Sequence, residues 1–110
     1  MSNNLPKLVR DRIPHIIEET GSTCTISYVN DGKEHVRWLK AKMQEEIEEF
    51  VDEPTYSEAA DIIEVVKALC YLNGLEWDAV LGAATRKEET HGGFYTGVVL
   101  ETVDYRMDNG

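Results

Sequence analysis

Positive charge is what this sequence has least of for its size. Across 110 residues, 11 Lys and Arg stand against 21 Asp and Glu, a formal net charge of -10. A chain without a basic surplus lacks the usual means of binding nucleic acid or an anionic membrane surface non-specifically, so neither is expected as a partner. Cysteine is also scarce. Cys24 and Cys70 are far apart and lack CxxC spacing, which excludes the common zinc and redox motifs and implies free thiols in a reducing compartment. No apolar run reaches the roughly 18 residues of a membrane span. The opening MSNNLPKLVR has no signal-peptide core, and a cytoplasmic location is expected. Repeats, low-complexity tracts and long linkers are absent too, leaving one domain over residues 1–110, whose 42% hydrophobic content builds a core with little to spare.

The chain itself reads as helices. After an irregular, basic opening of fourteen residues, Ile13 is pushed toward extended geometry by the proline that follows, and Pro14 suits the first position of a short helix, PHIIEET, ended by Gly21. Asp31 and Glu34 have capping-box spacing and open a long helix that Pro54 closes. Within it Val36, Leu39, Met43, Ile47 and Phe50 form one apolar stripe. Thr55 and Glu58 open the next helix, ended by Asn73-Gly74, and a third long helix runs from about Trp77 to Thr90 before His91-Gly92-Gly93. The fold class expected is all-α, a helical hairpin or bundle. Short extended or strand segments are expected near residues 23–29 and 94–103, where β-branched residues gather.

Between Gln44 and Val66 lie nine acids and no Lys or Arg. At about 100° per residue, Glu45, Glu48 and Asp52 fall opposite the apolar stripe, as solvated surface charge. Glu46 borders the stripe, with Glu49 just beyond it. In the next helix Glu58 falls within the arc of Ile62, Val65, Val66 and Leu69, and Asp61 between Leu72 and Ala68, whereas Glu64 points away beside Lys67. A carboxylate on a buried face is costly unless paired, protonated or bound to a cation. No basic residue of either helix shares that face near Glu58, so a metal is the economical partner. Each pair has i,i+3 spacing, and both pairs are centred on the same point between Glu53 and Pro54. An antiparallel hairpin therefore sets Glu46 level with Asp61 and Glu49 level with Glu58. Four carboxylates at one height favour Mg²⁺ or Mn²⁺ over zinc.

These residues carry a resemblance. EEIEE at 45–49 followed by EAAD at 58–61 resembles the EExxE…ExxD signature of the MazG-like all-α nucleoside triphosphate pyrophosphohydrolases, related to phosphoribosyl-ATP pyrophosphohydrolases and dimeric dUTPases. KLVRDRIP at 7–14 and HGGF at 91–94 resemble the opening and closing segments of a small MazG-like subgroup, so the similarity spans nearly the whole chain. It implies paired protomers and Mg²⁺-dependent cleavage between the α and β phosphates, yielding a nucleoside monophosphate and pyrophosphate. Carried over by position, Glu46, Glu49, Glu58 and Asp61 are metal ligands, and Glu45 is an outer-shell or second-metal residue despite its outward phase.

A polyphosphate also needs cationic donors, and Lys7, Arg10, Arg12, Arg86 and Lys87 are the candidates; the alternative for Arg10 and Arg12 is pairing with Asp11 or other surface acids. Trp38, on the flank of Lys42 and Glu49, can stack on a base, but oligomer packing explains it more simply. His91 and Gly92-Gly93 read first as a helix end. The second helix's apolar arc exceeds half its circumference, so a homodimer or dimer of dimers is expected. The leading function is house-cleaning hydrolysis of standard or modified nucleotides. Its alternatives are phosphoribosyl-ATP hydrolysis in histidine biosynthesis and, from another class, a non-catalytic acidic interaction protein.

Overall fold

The computed structural model describes residues 5–106, all helical where regular, with no strand among them. The elements are α1 (Ile13–Glu19), α2 (Gly32–Asp52), α3 (Tyr56–Leu72) and α4 (Trp77–His91). The all-α expectation holds, and residues 23–29 and 94–103 are irregular chain with no ladder partner. β-branched content alone does not make a strand, because a strand needs a neighbour to satisfy its backbone groups. Residues 1–4 of the irregular opening lie outside the described residues. The chain falls into two compact units, one ending at Trp77 and the other starting at Asp78.

In the first unit the N-cap bonds form as the spacing predicts, while Glu34 reaches the amide before its N-cap rather than the N-cap's own. Asp31 accepts from the Glu34 amide at 2.9 Å, while Glu34 Oε1 reaches back to the Asn30 amide at 2.5 Å. Thr55 Oγ1 accepts from the Glu58 amide at 3.1 Å and starts α3. Each such cap satisfies an otherwise orphaned donor and contributes about 1 kcal/mol. At the other end of α3, Asn73 Nδ2 donates to the Leu69 carbonyl at 2.8 Å, and Gly74 takes a positive φ of 70° that turns the chain out of the helix. One boundary differs from expectation: α1 begins at Ile13, so the residue before Pro14 is helical. Pro14 remains compatible because amides in a helix's first turn have no intrahelical acceptor to lose.

Residues 53–55 join α2 to α3, which pack against each other as the hairpin expected around Pro54. The face that α2 buries takes in only one edge of the apolar stripe. Leu39 and Glu46 are each only 3% exposed, whereas Val36 and Ile47 are 39% and 46% exposed. Leu39 and Glu46 are seven residues apart and thus about 20° apart around the helix, so the buried face is centred on their line. From α3, Val65 and Cys70 complete the buried apolar set of the described residues. Glu58 and Asp61 lie to either side of the Val65 line, both half-buried. The interface between the helices is therefore mixed, apolar around Leu39 and Val65 and acidic toward the hairpin bend.

The second unit holds α4 from its second residue onward, Trp77 closing the first unit; α4 ends at His91, followed by Gly92 with a φ of 82°. It has no buried residue, and residues 92–106 are exposed throughout. No helix among the described residues is long and apolar enough to cross a membrane.

Candidate metal centre

Carboxylate oxygens converge in two overlapping groups. Glu45, Glu46 and Glu49 form one and Glu46, Glu58 and Asp61 the other, each offering one oxygen per residue within 4.8 Å of the others. Glu46 belongs to both. The four residues picked out by helical phase thus come together, but as two triads joined at Glu46 rather than as one ring.

Glu46 is the structural key. Its Oε1 lies 3.1 Å from Lys42 Nζ, while its Oε2 is shut off from solvent and has no hydrogen-bond partner. Glu58 Oε2 is buried and unpartnered in the same way, although Glu58 as a residue is half-exposed. Burial raises the Glu46 carboxyl above the ordinary glutamate range. Lys42 pulls it back, and the Glu49 and Asp61 charges push it further up. Glu58 is also raised, first by desolvation and then by repulsion from Glu49 and Asp61. Two carboxylate oxygens without donors, among like charges, form a group whose ionised state favours an added cation.

The donor set fits a hard divalent ion. Oxygens on opposite sides of an octahedral Mg²⁺ are about 4.2 Å apart, given metal–oxygen distances of 2.0–2.1 Å, so small side-chain adjustments close the observed groups around an ion. All the donors are carboxylates, a set suited to hard divalent ions. The clusters can therefore hold a metal ion.

Two features correct the helical-wheel reading. Glu45 is not a solvated outward charge: its side chain is 19% exposed, and it meets Lys42 Nζ at 2.9 Å and Lys7 Nζ at 3.7 Å. The segment before α1 brings Lys7 over that flank, a long-range contact that helix phase cannot register. Lys42 is the residue the wheel missed. Its side chain is 17% exposed and serves both Glu45 and Glu46. Burial lowers its pKa, but the two carboxylates more than compensate and leave it raised. A cation of α2 thus does reach the buried face, and its i,i+3 and i,i+4 spacing to Glu45 and Glu46 was the available signal. Glu48 and Asp52 are exposed, as expected.

The basic candidates divide. Arg10 donates to Asp61 Oδ1 at 2.6 Å, so it pairs with a candidate ligand rather than with Asp11. Lys7, Arg10, Arg12, Lys42, Glu46 and Asp61 all border a cleft of about 670 Å³, within the size range of small-molecule sites. Trp38, half-buried, borders a second cleft of about 740 Å³ with Lys42, Gln44, Glu45 and Glu49. Arg86 and Lys87 belong to α4 in the other unit, where both are exposed. His91 Nδ1 lies 2.7 Å from Thr90 Oγ1, a local helix-end contact. No protein-family model, no curated protein and no solved structure matches the chain.

Proposed function

We propose that the chain is a Mg²⁺-dependent nucleoside triphosphate pyrophosphohydrolase of the MazG-like kind, able to use Mn²⁺, that cleaves between the α and β phosphates. The observation that carries this reading is Glu46, a carboxylate as buried as the core leucine, with one oxygen unpartnered and the oxygens of Glu58 and Asp61 within 4.8 Å. Evidently such a group is not there for hairpin stability, since a buried carboxylate beside like charges destabilises the fold.

In this reading Glu46, Glu49, Glu58 and Asp61 are the metal ligands, with Glu46, Glu58 and Asp61 around one ion and Glu49 offered from the adjoining triad. A divalent ion there would neutralise the polyphosphate, polarise the attacked phosphorus and lower the pKa of water. Lys42 keeps Glu46 Oε1 engaged, leaving Oε2 as the ligating atom. Glu45, tied to Lys42 and Lys7, acts as an outer partner that orients both cations. Arg12 and Lys7 face the cleft where the phosphates would lie. An ionised carboxylate of the cluster outside the ion's shell accepts the proton of the attacking water. Self-association belongs to the reading as well, supported by Ile47, Val51 and Ile63, which are exposed on the hairpin helices while only Leu39, Val65 and Cys70 are buried apolar residues among those described.

The deciding experiment is a panel of standard and modified nucleoside triphosphates incubated with the protein and Mg²⁺. Pyrophosphate and a nucleoside monophosphate are the expected products. Orthophosphate with a diphosphate, or no turnover of any member, would sink the reading.

A further inference from the structure

Two cations touch the Glu46, Glu58 and Asp61 group, and they are held very differently. Lys42 is mostly buried and shared between two carboxylates at 2.9 and 3.1 Å. Arg10 comes from the irregular segment before α1, is 52% exposed, and has Asp61 Oδ1 as its acidic contact, at 2.6 Å. A buried cation between two carboxylates is costly to move, because leaving it unpaired exposes both partners to the desolvation penalty. An exposed arginine pair is weak and is readily surrendered to a stronger competitor.

A divalent ion is such a competitor. It carries twice the charge of a guanidinium, sits closer to the oxygens, and engages Glu46 and Glu58 together with Asp61. Once it is in place, a guanidinium on the same carboxylate is repelled by the ion and attracted less by an oxygen whose charge is already shared. The guanidinium does not then lack a destination. Arg10 borders the cleft of about 670 Å³ together with Lys7, Arg12 and Lys42. Its fork of donors matches the paired oxygens of a phosphate.

We propose that Arg10 is a displaceable counter-ion: a divalent cation bound at the Glu46, Glu58 and Asp61 group replaces the guanidinium on Asp61, and the released guanidinium becomes a phosphate ligand in the adjoining cleft. Ion loading and polyphosphate binding are thereby coupled, since the ion both completes the acidic group and frees a donor for the anion. The second half rests on the triphosphate reading above, whereas the first half does not.

Three measurements test this on the full chain. Nitrogen-detected NMR of the Arg10 side chain, assigned by comparison with Arg10→Lys, should show a guanidinium restrained by its hydrogen bond that gains free rotation as Mg²⁺ saturates. Calorimetry with Mn²⁺ alone should give an affinity about two- to five-fold tighter in Arg10→Gln than in the wild type, the range expected for loss of an exposed competing ion pair. Inorganic tripolyphosphate in saturating Mg²⁺ should bind about five-fold or more weakly to Arg10→Gln. The exchange is overturned if the Arg10 signal stays restrained in Mg²⁺, if neither protein binds Mn²⁺, or if Arg10→Gln binds Mn²⁺ equally or more weakly. The last result would mean that Arg10 supports Asp61 as an outer partner. Tripolyphosphate binding indifferent to Arg10 overturns the second half. Should Mn²⁺ and tripolyphosphate behave as expected while no nucleotide is hydrolysed, the exchange stands and the proposed activity falls.

Discussion

The unit ending at Trp77 and the unit beginning at Asp78 carry similar raw materials, yet only one of them turns those into a site. Each has long helical sequence, basic candidates and scattered large apolar side chains. In the first, α2 and α3 bury Leu39, Glu46, Val65 and Cys70. In the second, α4 buries nothing, and Phe94, Tyr95 and Val98 to Leu100 are largely exposed. Charge follows packing. Lys7, Arg10 and Lys42 meet carboxylates that the hairpin has concentrated, and for that reason they have defined partners. Arg86 and Lys87 stand on a solvated helix surface. The comparison teaches that a basic residue becomes a site residue when folding gathers opposite charge that cannot solvate itself.

The largest expected difference between the units is in stability. Leu39→Ala should lower the unfolding free energy by about 2–5 kcal/mol in denaturant titrations, because it opens a cavity in a core with few other members. Leu81→Ala on α4, at 49% exposure, should stay within about 0.5 kcal/mol. An equal loss at Leu81 would break the comparison. It would show that α4 is covered by a second copy, and sedimentation should then detect an assembly that the substitution weakens.

Next comes activity. Glu58→Gln should reduce Mg²⁺-dependent pyrophosphate release about 100-fold or more, since even outer-shell changes at metal sites cost about 10–100-fold. Lys87→Gln should change it by less than about three-fold, as expected for an exposed charge. Comparable losses would assign α4 to the site as well.

The smallest effect is a dependence on pH. Glu58 titrates above its ordinary value, so the folded chain binds that proton more tightly than the unfolded chain does. Its stabilising contribution is full below the ordinary glutamate pKa of about 4.3 and is lost as pH rises through the raised folded value. Glu46 is raised too and acts in the same direction. In the presence of a chelator, wild-type Tm should therefore drift downward as pH rises from about 4.3 toward neutrality. Glu58→Gln should flatten this drift and melt higher than wild type at pH 7, with the advantage disappearing in acid. A variant less stable than wild type at pH 7 under chelation would refute the claim that Glu58 strains the fold. With the expected result, the same substitution is stabilising for the chain and ruinous for the chemistry, a division seen where a site is built against the interest of the fold.

Much of this is legible in the amino-acid sequence. The limits of α2 and α3 follow from Asp31, Thr55 and Asn73-Gly74, because caps are satisfied within a few residues of themselves. The convergence of Glu46, Glu49, Glu58 and Asp61 was legible for a similar reason: two i,i+3 pairs placed symmetrically about a tight connection must face one another if the hairpin closes. Strand content near residues 23–29 and 94–103 was not legible, since strand formation depends on a partner that local composition does not specify. Glu45 and Lys42 were misread because a wheel weighted by apolar residues points to Ile47 and Val36, which are substantially exposed.

By itself, then, the sequence determined where the helices start and stop, that an acidic group must form at the hairpin bend, and that little apolar surface can be hidden within one chain. All of these are set by interactions within a turn or two of helix, or by symmetry about a three-residue connection. Only the tertiary structure decided how far α2 turns about its own axis, and with it that Glu46 is buried with a bare oxygen while Ile47 is not. It also decided that Arg10 would reach Asp61, 51 residues away. Rotation of a helix and the landing of an irregular segment are settled by the sum of many weak contacts across the whole unit, and no local spacing encodes that sum.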